Sequence, residues 1–177
     1  MIPATASRLR QAGLDPVSTQ RLIEATMAED EAAYDVTSKA TVPADMIGIA
    51  AIRTRVDGVV AGLPVAIATL DVATGGKVEI LNVMDDGARI APGDTVLEVR
   101  AHVRPILAGE RTLLNLITHL SGVATITRRW VDAVEGTGAQ IRDTRKTLPG
   151  LRVLEKYAVR CGGGVNHRMS LADAAVI

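Results

Sequence analysis

Residues 139–168 read AQIRDTRKTLPGLRVLEKYAVRCGGGVNHR. Residues 139–143 form a short β-prone run, Pro149 and Gly150 mark a turn, and residues 148–159 carry apolar side chains at helical spacing before three glycines. The pattern predicts strand, loop, helix, loop. Such a unit suits a parallel α/β layout, in which the loops after the strands line the cleft.

Upstream, residues 106–120 predict a strong helix with Leu107, Leu113, Leu114, Leu116, Ile117 and Leu120 on its apolar face. Gly122 is expected to interrupt it, and residues 123–134 to resume it as far as Gly136. A further strand is expected over 171–177. The first hundred residues read as a small α+β unit. Residues 16–31 predict an amphipathic helix that buries Val17, Leu22, Ile23, Ala25, Thr26 and Met27, and 35–43 a connector. A strand is expected over 48–62, a helix over 63–73 with Pro64 in its first turn, and strands over 77–84 and 95–103. The last two flank Asp-Gly and Pro-Gly turn signals.

Composition excludes several classes. In 177 residues, 20 Lys and Arg balance 20 Asp and Glu, so no field of one sign covers the molecule and a general nucleic-acid binder is disfavoured. The aromatics are Tyr34, Trp130 and Tyr157, too few for platforms that stack successive bases. Cys161 is the only cysteine, which rules out an internal disulfide and fits a reducing cytoplasm. Residues 1–13 lack the apolar core of a secretory signal, and the uncharged run between Asp57 and Asp71 is too short to span a bilayer.

Charge is nevertheless concentrated. Between Arg142 and Arg168 stand seven bases, Arg142, Arg145, Lys146, Arg152, Lys156, Arg160 and Arg168, against the acids Asp143 and Glu155. A basic cleft on a neutral chain suggests a small polyanionic ligand. Adjacent Arg145 and Lys146 repel each other unless an anion pairs with them, and Thr144 and Thr147 add hydroxyl donors; a solvated basic turn is the plain alternative. Gly162, Gly163 and Gly164 allow close backbone approach to a ligand, and Asn166, His167 and Arg168 supply an amide, an imidazole and a guanidinium; the alternative is a flexible loop. Gly109-Glu110-Arg111-Thr112 is read as a helix start, where Glu110 suits the dipole and Arg111 does not, which favours a ligand or partner-chain role for Arg111. His119 has no neighbour at metal spacing, and Asp35-Val36-Thr37-Ser38 reads as a cap or turn. No dinucleotide fingerprint, P-loop or nucleophile elbow is present.

Three segments together resemble the quinolinate phosphoribosyltransferase family: residues 110–116 with 120–125, residues 143–152, and residues 156–168. The resemblance extends over essentially the whole chain. It implies an α/β fold, with an N-terminal α/β sandwich domain (1–113) followed by the first part of a TIM-like α/β barrel (114–177), incomplete in this chain. It implies transfer of a phosphoribosyl group from phosphoribosyl pyrophosphate to quinolinate with decarboxylation, giving nicotinate mononucleotide, pyrophosphate and carbon dioxide, with Mg2+, in NAD biosynthesis. By motif, Arg145, His167 and Arg168 correspond to contacts with the quinolinate carboxylates, Thr144 and Lys146 belong to the same loop with Lys146 nearer the phosphates, and Arg111 reaches the neighbouring subunit's site in a homodimer. No metal ligand is assigned in these residues. The family continues past Ile177, with a substrate lysine expected at the next position and the phosphate and metal residues later, so the chain is expected to be a fragment with little or no activity alone. A related protein of molybdate operons and a non-catalytic dimerisation or binding fragment are the alternatives. Residues 83–99 also resemble a lipoyl or biotinyl carrier, but their turn has no lysine to modify.

Overall fold

Two prolines start the first two helices of the computed structural model, which describes residues 1–173. Pro3–Gln11 forms α1 and Pro16–Glu29 forms α2, each with proline in the first turn, where its missing N–H costs nothing. Asp15 caps α2 by accepting from the Ser18 amide at 2.8 Å. Helix α1 is absent from the sequence reading because only Thr5 and Leu9 of its face are buried, too few to register as a period. Within α2 the buried residues are Thr19 and Ile23, and Val17 is exposed. A 3-10 turn, Ala32–Tyr34, leads to α3 (Val36–Thr41), which Asp35 caps through the Ser38 amide at 2.9 Å.

Next come β1 (Ile47–Arg53), β2 (Gly58–Val59), α4 (Leu63–Thr74), β3 (Glu79–Val83), β4 (Arg89–Ile90) and β5 (Thr95–His102). The strand expected over 48–62 is two strands. Thr54 turns out of β1 and exchanges backbone hydrogen bonds with Asp94 and Gly93, each at 2.9 Å, so β1 and β2 enter different sheets. In the larger sheet β5 is central and antiparallel to β1 and β3; β2 pairs with β4.

Residues Val103–Ala133 form one helix, α5, and Arg152–Cys161 form α6. The expected break at Gly122 does not occur. A helical glycine costs about 1 kcal/mol against alanine, and burial of Leu116, Ile117, Leu120, Ala124 and Thr127 on either side outweighs it. Glu110 and Arg111 therefore lie about two turns inside α5 rather than at a helix start. The domain boundary expected at 113/114 falls within this helix.

Helix α4 is buried at Leu63 and from Val65 to Asp71 and packs along α5, so its apolar residues run all round it rather than along one stripe. Two core clusters result. One joins Val60, Leu63, Ile67, Leu97, Val99 and Ile117 beneath the sheet; the other joins Leu9, Ile23, Val65, Leu120, Leu154 and Tyr157, bringing the N-terminal helices against α6.

Three further expectations are revised. Residues 139–143 contribute only one parallel bridge, Arg142 to Val165, supported by the Val165 amide on the Ile141 carbonyl at 2.8 Å. Among the described residues no further strand extends it, and a strand needs a neighbour to satisfy its backbone. The helix expected over 148–159 starts later because Pro149 and Gly150, the latter at φ +81°, form a turn. Of the strand expected over 171–177, residues 171–173 are a turn and 174–177 lie outside the described residues.

Gly62 caps α4 at φ +102°, and a β-carbon there would stand 2.8 Å from Leu120 Cδ1. Gly62→Ala meets both the backbone and the packing penalty and is expected to cost more than about 1 kcal/mol in denaturant unfolding. An unchanged midpoint contradicts this packing.

Candidate functional site

Asp143 ends the short extended run and begins the Thr144-Arg145-Lys146 loop. Its side chain is nearly buried, and both oxygens are used. Oδ1 accepts from Lys156 Nζ and, at 2.8 Å, from the His167 amide; Oδ2 accepts from Asn166 Nδ2 at 2.6 Å. Lys156 has no exposure to solvent and also donates to the His167 carbonyl at 3.1 Å. The 144–146 loop and the 166–168 loop, 20 residues apart in the chain, thus leave from one buried ion pair. Removing one partner of such a pair typically costs about 3–5 kcal/mol because the other charge stays buried.

Asn166 bridges further. Its amide nitrogen also donates to the Lys156 carbonyl at 2.8 Å, and its oxygen accepts from Arg160 Nη1 at 2.8 Å. Arg160 lies over the Tyr157 ring and donates to the Ala12 carbonyl at 2.9 Å, which ties the α1–α2 corner to this loop. Arg152 donates to Thr147 Oγ1 at 3.1 Å and to the Met169 carbonyl at 3.3 Å. Lys156, Arg160 and Arg152 are therefore structural cations, although the sequence counts them with the basic cleft. Lys156 stands two residues after Leu154 and one before Tyr157, off the apolar face those two share, so the helical period gives no signal of its burial.

The loops also carry the cations singled out by motif. Lys146 and His167 are exposed; Arg145 and Arg168 are half-buried. The Nε of Arg145 is buried and has no acceptor among the described residues, which leaves a donor for a ligand to satisfy. Thr144 Oγ1 accepts from the Lys146 amide at 3.0 Å and shapes the turn. His167 Nδ1 accepts from the Arg168 amide at 2.8 Å, so a neutral ring carries its proton on Nε2. His119 is bonded to Glu155 at 2.9 Å, and Glu155 also accepts from the Leu148 amide at 3.4 Å. The glycines before the second loop serve packing: a β-carbon on Gly162 would stand 2.5 Å from the Ala124 carbonyl of α5.

Arg111 is elsewhere. It lines an open cleft of about 1320 Å³ between β1, the 54–58 turn and α5, together with Arg53, Arg55, Asn115 and Arg129. None of Thr144, Arg145, Lys146, His167 and Arg168 lines it.

Beneath α6, the Tyr157 hydroxyl donates to Asp86 Oδ2 at 2.6 Å, and Asp86 accepts from the Gly62 and Leu63 amides at 2.7 and 3.1 Å, capping α4. Burial raises the Asp86 carboxyl above its ordinary value despite these donors. Burial and the nearby Asp86 charge push the Cys161 thiol up to about 11, so it is no ready nucleophile at neutral pH. Among the described residues no cluster of His, Cys, Asp and Glu could hold a metal ion, and no helix is long and apolar enough to cross a membrane.

Comparison with known proteins adds to this geometry. Family models described as the N-terminal and C-terminal domains of quinolinate phosphoribosyl transferase match residues 35–121 and 123–177. The chain is 54% identical over 144 residues to the nicotinate-nucleotide pyrophosphorylase [carboxylating] of Mycobacterium leprae, covering 81% of this chain and 51% of that one. It is 40% identical over 144 residues to the mitochondrial quinolinate phosphoribosyltransferase [decarboxylating] 2a of Nicotiana tabacum, covering 81% and 40%. Among solved structures it superposes on NadC from Streptococcus pyogenes with a TM-score of 0.87 at 37% identity, covering 91% of this chain and 57% of that one. For the nicotinate-nucleotide pyrophosphorylase from Francisella tularensis the TM-score is 0.84 at 35% identity, with the same coverage. The chain spans about half the length, or less, of the curated relatives it matches.

The raised Asp86 carboxyl has a pH signature. The folded carboxyl keeps its proton to higher pH than the unfolded one, so its contribution to stability falls as pH rises from 3.8 through the folded value. Asp86→Asn removes that titration. The stability of the natural chain minus that of Asp86→Asn, from denaturant unfolding, should therefore decline across this window; a difference that grows with pH contradicts the burial argument.

Proposed function

The chain belongs to the quinolinate phosphoribosyl transferase family, and from that premise we propose that it carries the quinolinate-binding loops of a phosphoribosyl transfer reaction. Quinolinate and phosphoribosyl pyrophosphate react to give nicotinate mononucleotide, pyrophosphate and carbon dioxide, as a pentosyl transfer in NAD biosynthesis. The observation that carries this reading is the junction of two cationic loops on Asp143, with the buried Nε of Arg145 lacking an acceptor.

The chemistry explains the cations. Quinolinate is a dicarboxylate and its co-substrate carries several phosphate charges. The two approach only where guanidinium, ammonium and imidazole groups neutralise them. The ring nitrogen then forms a bond to the anomeric carbon as the C–O bond to pyrophosphate breaks, the leaving group taking the electron pair. Loss of the 2-carboxylate as carbon dioxide leaves a carbanion that takes up a proton. Positioning and charge stabilisation are the protein's task in the transfer step. Arg145, Arg168 and His167 hold the carboxylates, Thr144 shapes the loop, and Lys146 faces the phosphates. Magnesium enters with phosphoribosyl pyrophosphate as part of the substrate.

Arg111 acts across a homodimer. Its position on the cleft beside Arg53, Arg55 and Arg129, away from the 144–146 and 166–168 loops, supports service to a second copy. In this reading residues 1–113 are the sandwich domain, 114–177 open the barrel, and the protein works in the cytoplasm.

Arg145→Ala and Arg168→Ala should each weaken quinolinate binding by about 1.5–3 kcal/mol, or roughly 10- to 150-fold in Kd, by titration calorimetry. Unchanged affinity in both removes the substrate assignment. In an active assembly, mixing Arg111→Ala with Arg145→Ala subunits should recover part of the activity that each lacks alone. No recovery on mixing contradicts a site shared between subunits.

A further inference from the structure

We propose that Asp143 is a positioning residue, a carboxylate that touches no substrate and sets the Thr144-Arg145-Lys146 loop in register with the Asn166-His167-Arg168 loop. The proposal rests on the reading of these loops as an anion site. Both oxygens of Asp143 are already engaged, by Lys156, the His167 amide and Asn166, and its side chain is only 6% exposed. What it contacts are the two loops themselves: its own backbone begins the first, and the His167 amide and the Asn166 side chain belong to the second. Asn166 extends the link through Arg160 to the Ala12 carbonyl, so the second loop is held from the N-terminal helices as well.

Charge explains why the carboxylate must be sequestered. A free aspartate two residues from Arg145 would pair with a loop cation and occupy the place of a substrate carboxylate. Lys156, fully buried on α6, takes that role instead. The ion pair is neutral as a unit, so Asp143 does not draw the Arg145 and Lys146 side chains onto itself. A pair that only strengthened α6 would have no need to receive the backbone amide of His167, which fixes where the imidazole and Arg168 begin.

The test uses two variants of the chain. Asp143→Asn removes the charge but leaves Lys156 buried and unpaired, which can prevent folding. Asn166→Ala keeps the ion pair and the His167 amide bond and removes the side-chain arm of the bridge, so it decides the matter if the first variant does not fold. Amide hydrogen exchange is followed in residues 144–147 and 165–168 and, as a reference, in α5. Binding of quinolinate is compared with that of nicotinate, which has one carboxylate fewer. Loss of folded fraction weakens both ligands equally and leaves their ratio alone; loss of loop register lowers the ratio.

The expected result is exchange raised about tenfold or more in both loops with α5 unchanged, and a preference for quinolinate over nicotinate reduced by about fivefold or more. Exchange that rises no more in the loops than in α5, or a preserved ligand ratio, overturns the positioning role. If exchange rises selectively in both loops while the natural chain shows no saturable quinolinate binding, the positioning role stands and quinolinate is removed as the ligand.

Discussion

A lysine ammonium with no exposure to solvent has to be neutralised, and in this chain Asp143 neutralises Lys156. The pair is costly to bury, and its desolvation is offset only by further hydrogen bonds. Those bonds are the ones that matter for the site. The His167 amide, the His167 carbonyl and the Asn166 side chain complete the shell, so the requirement to satisfy one buried charge brings two distant segments together. Arg145, Lys146, His167 and Arg168 then stand on loops with a common origin.

The rest of the fold makes room for that pair. Helix α5 runs without a break under both halves of the chain and meets α4, α6 and β2 of the two-stranded sheet. Its residues Leu120, Ala124 and Thr127 form the surface on which α6 and the Gly162–Gly164 turn settle, and Gly162 has no space for a side chain against it. Tyr157 and Asp86 link α6 back to the start of α4. Helix α6 is thereby anchored on two sides before it presents Lys156.

Much of this was legible in the sequence. The helix at α4, the period of α5, the strand at β5, the Asp35 cap and the two loops with their cations all follow from local residue types, and the motif resemblance agrees with the family matches. What escaped depends on contacts between distant residues. Gly122 looked like a break because local propensity cannot weigh the burial around it. Helix α1 carries too few buried residues to show a period. Residues 139–143 have strand composition but, among the described residues, one bridging partner, Val165. The largest gap concerned charge: Lys156, Arg160 and Arg152 counted as cleft cations, and only three dimensions show that each is consumed by an internal acceptor. A basic window in a sequence is an upper limit on the cations offered to a ligand.

The central claim is that the two loops share one anion, and a crystal structure of the chain grown with quinolinate tests it most directly. The account predicts one bound diacid whose carboxylates meet Arg145, including its Nε, together with His167 or Arg168 from the other loop, while the Lys156–Asp143 pair stays closed beneath. Quinolinate held by one loop alone, or bound only in the cleft beside Arg111, contradicts it.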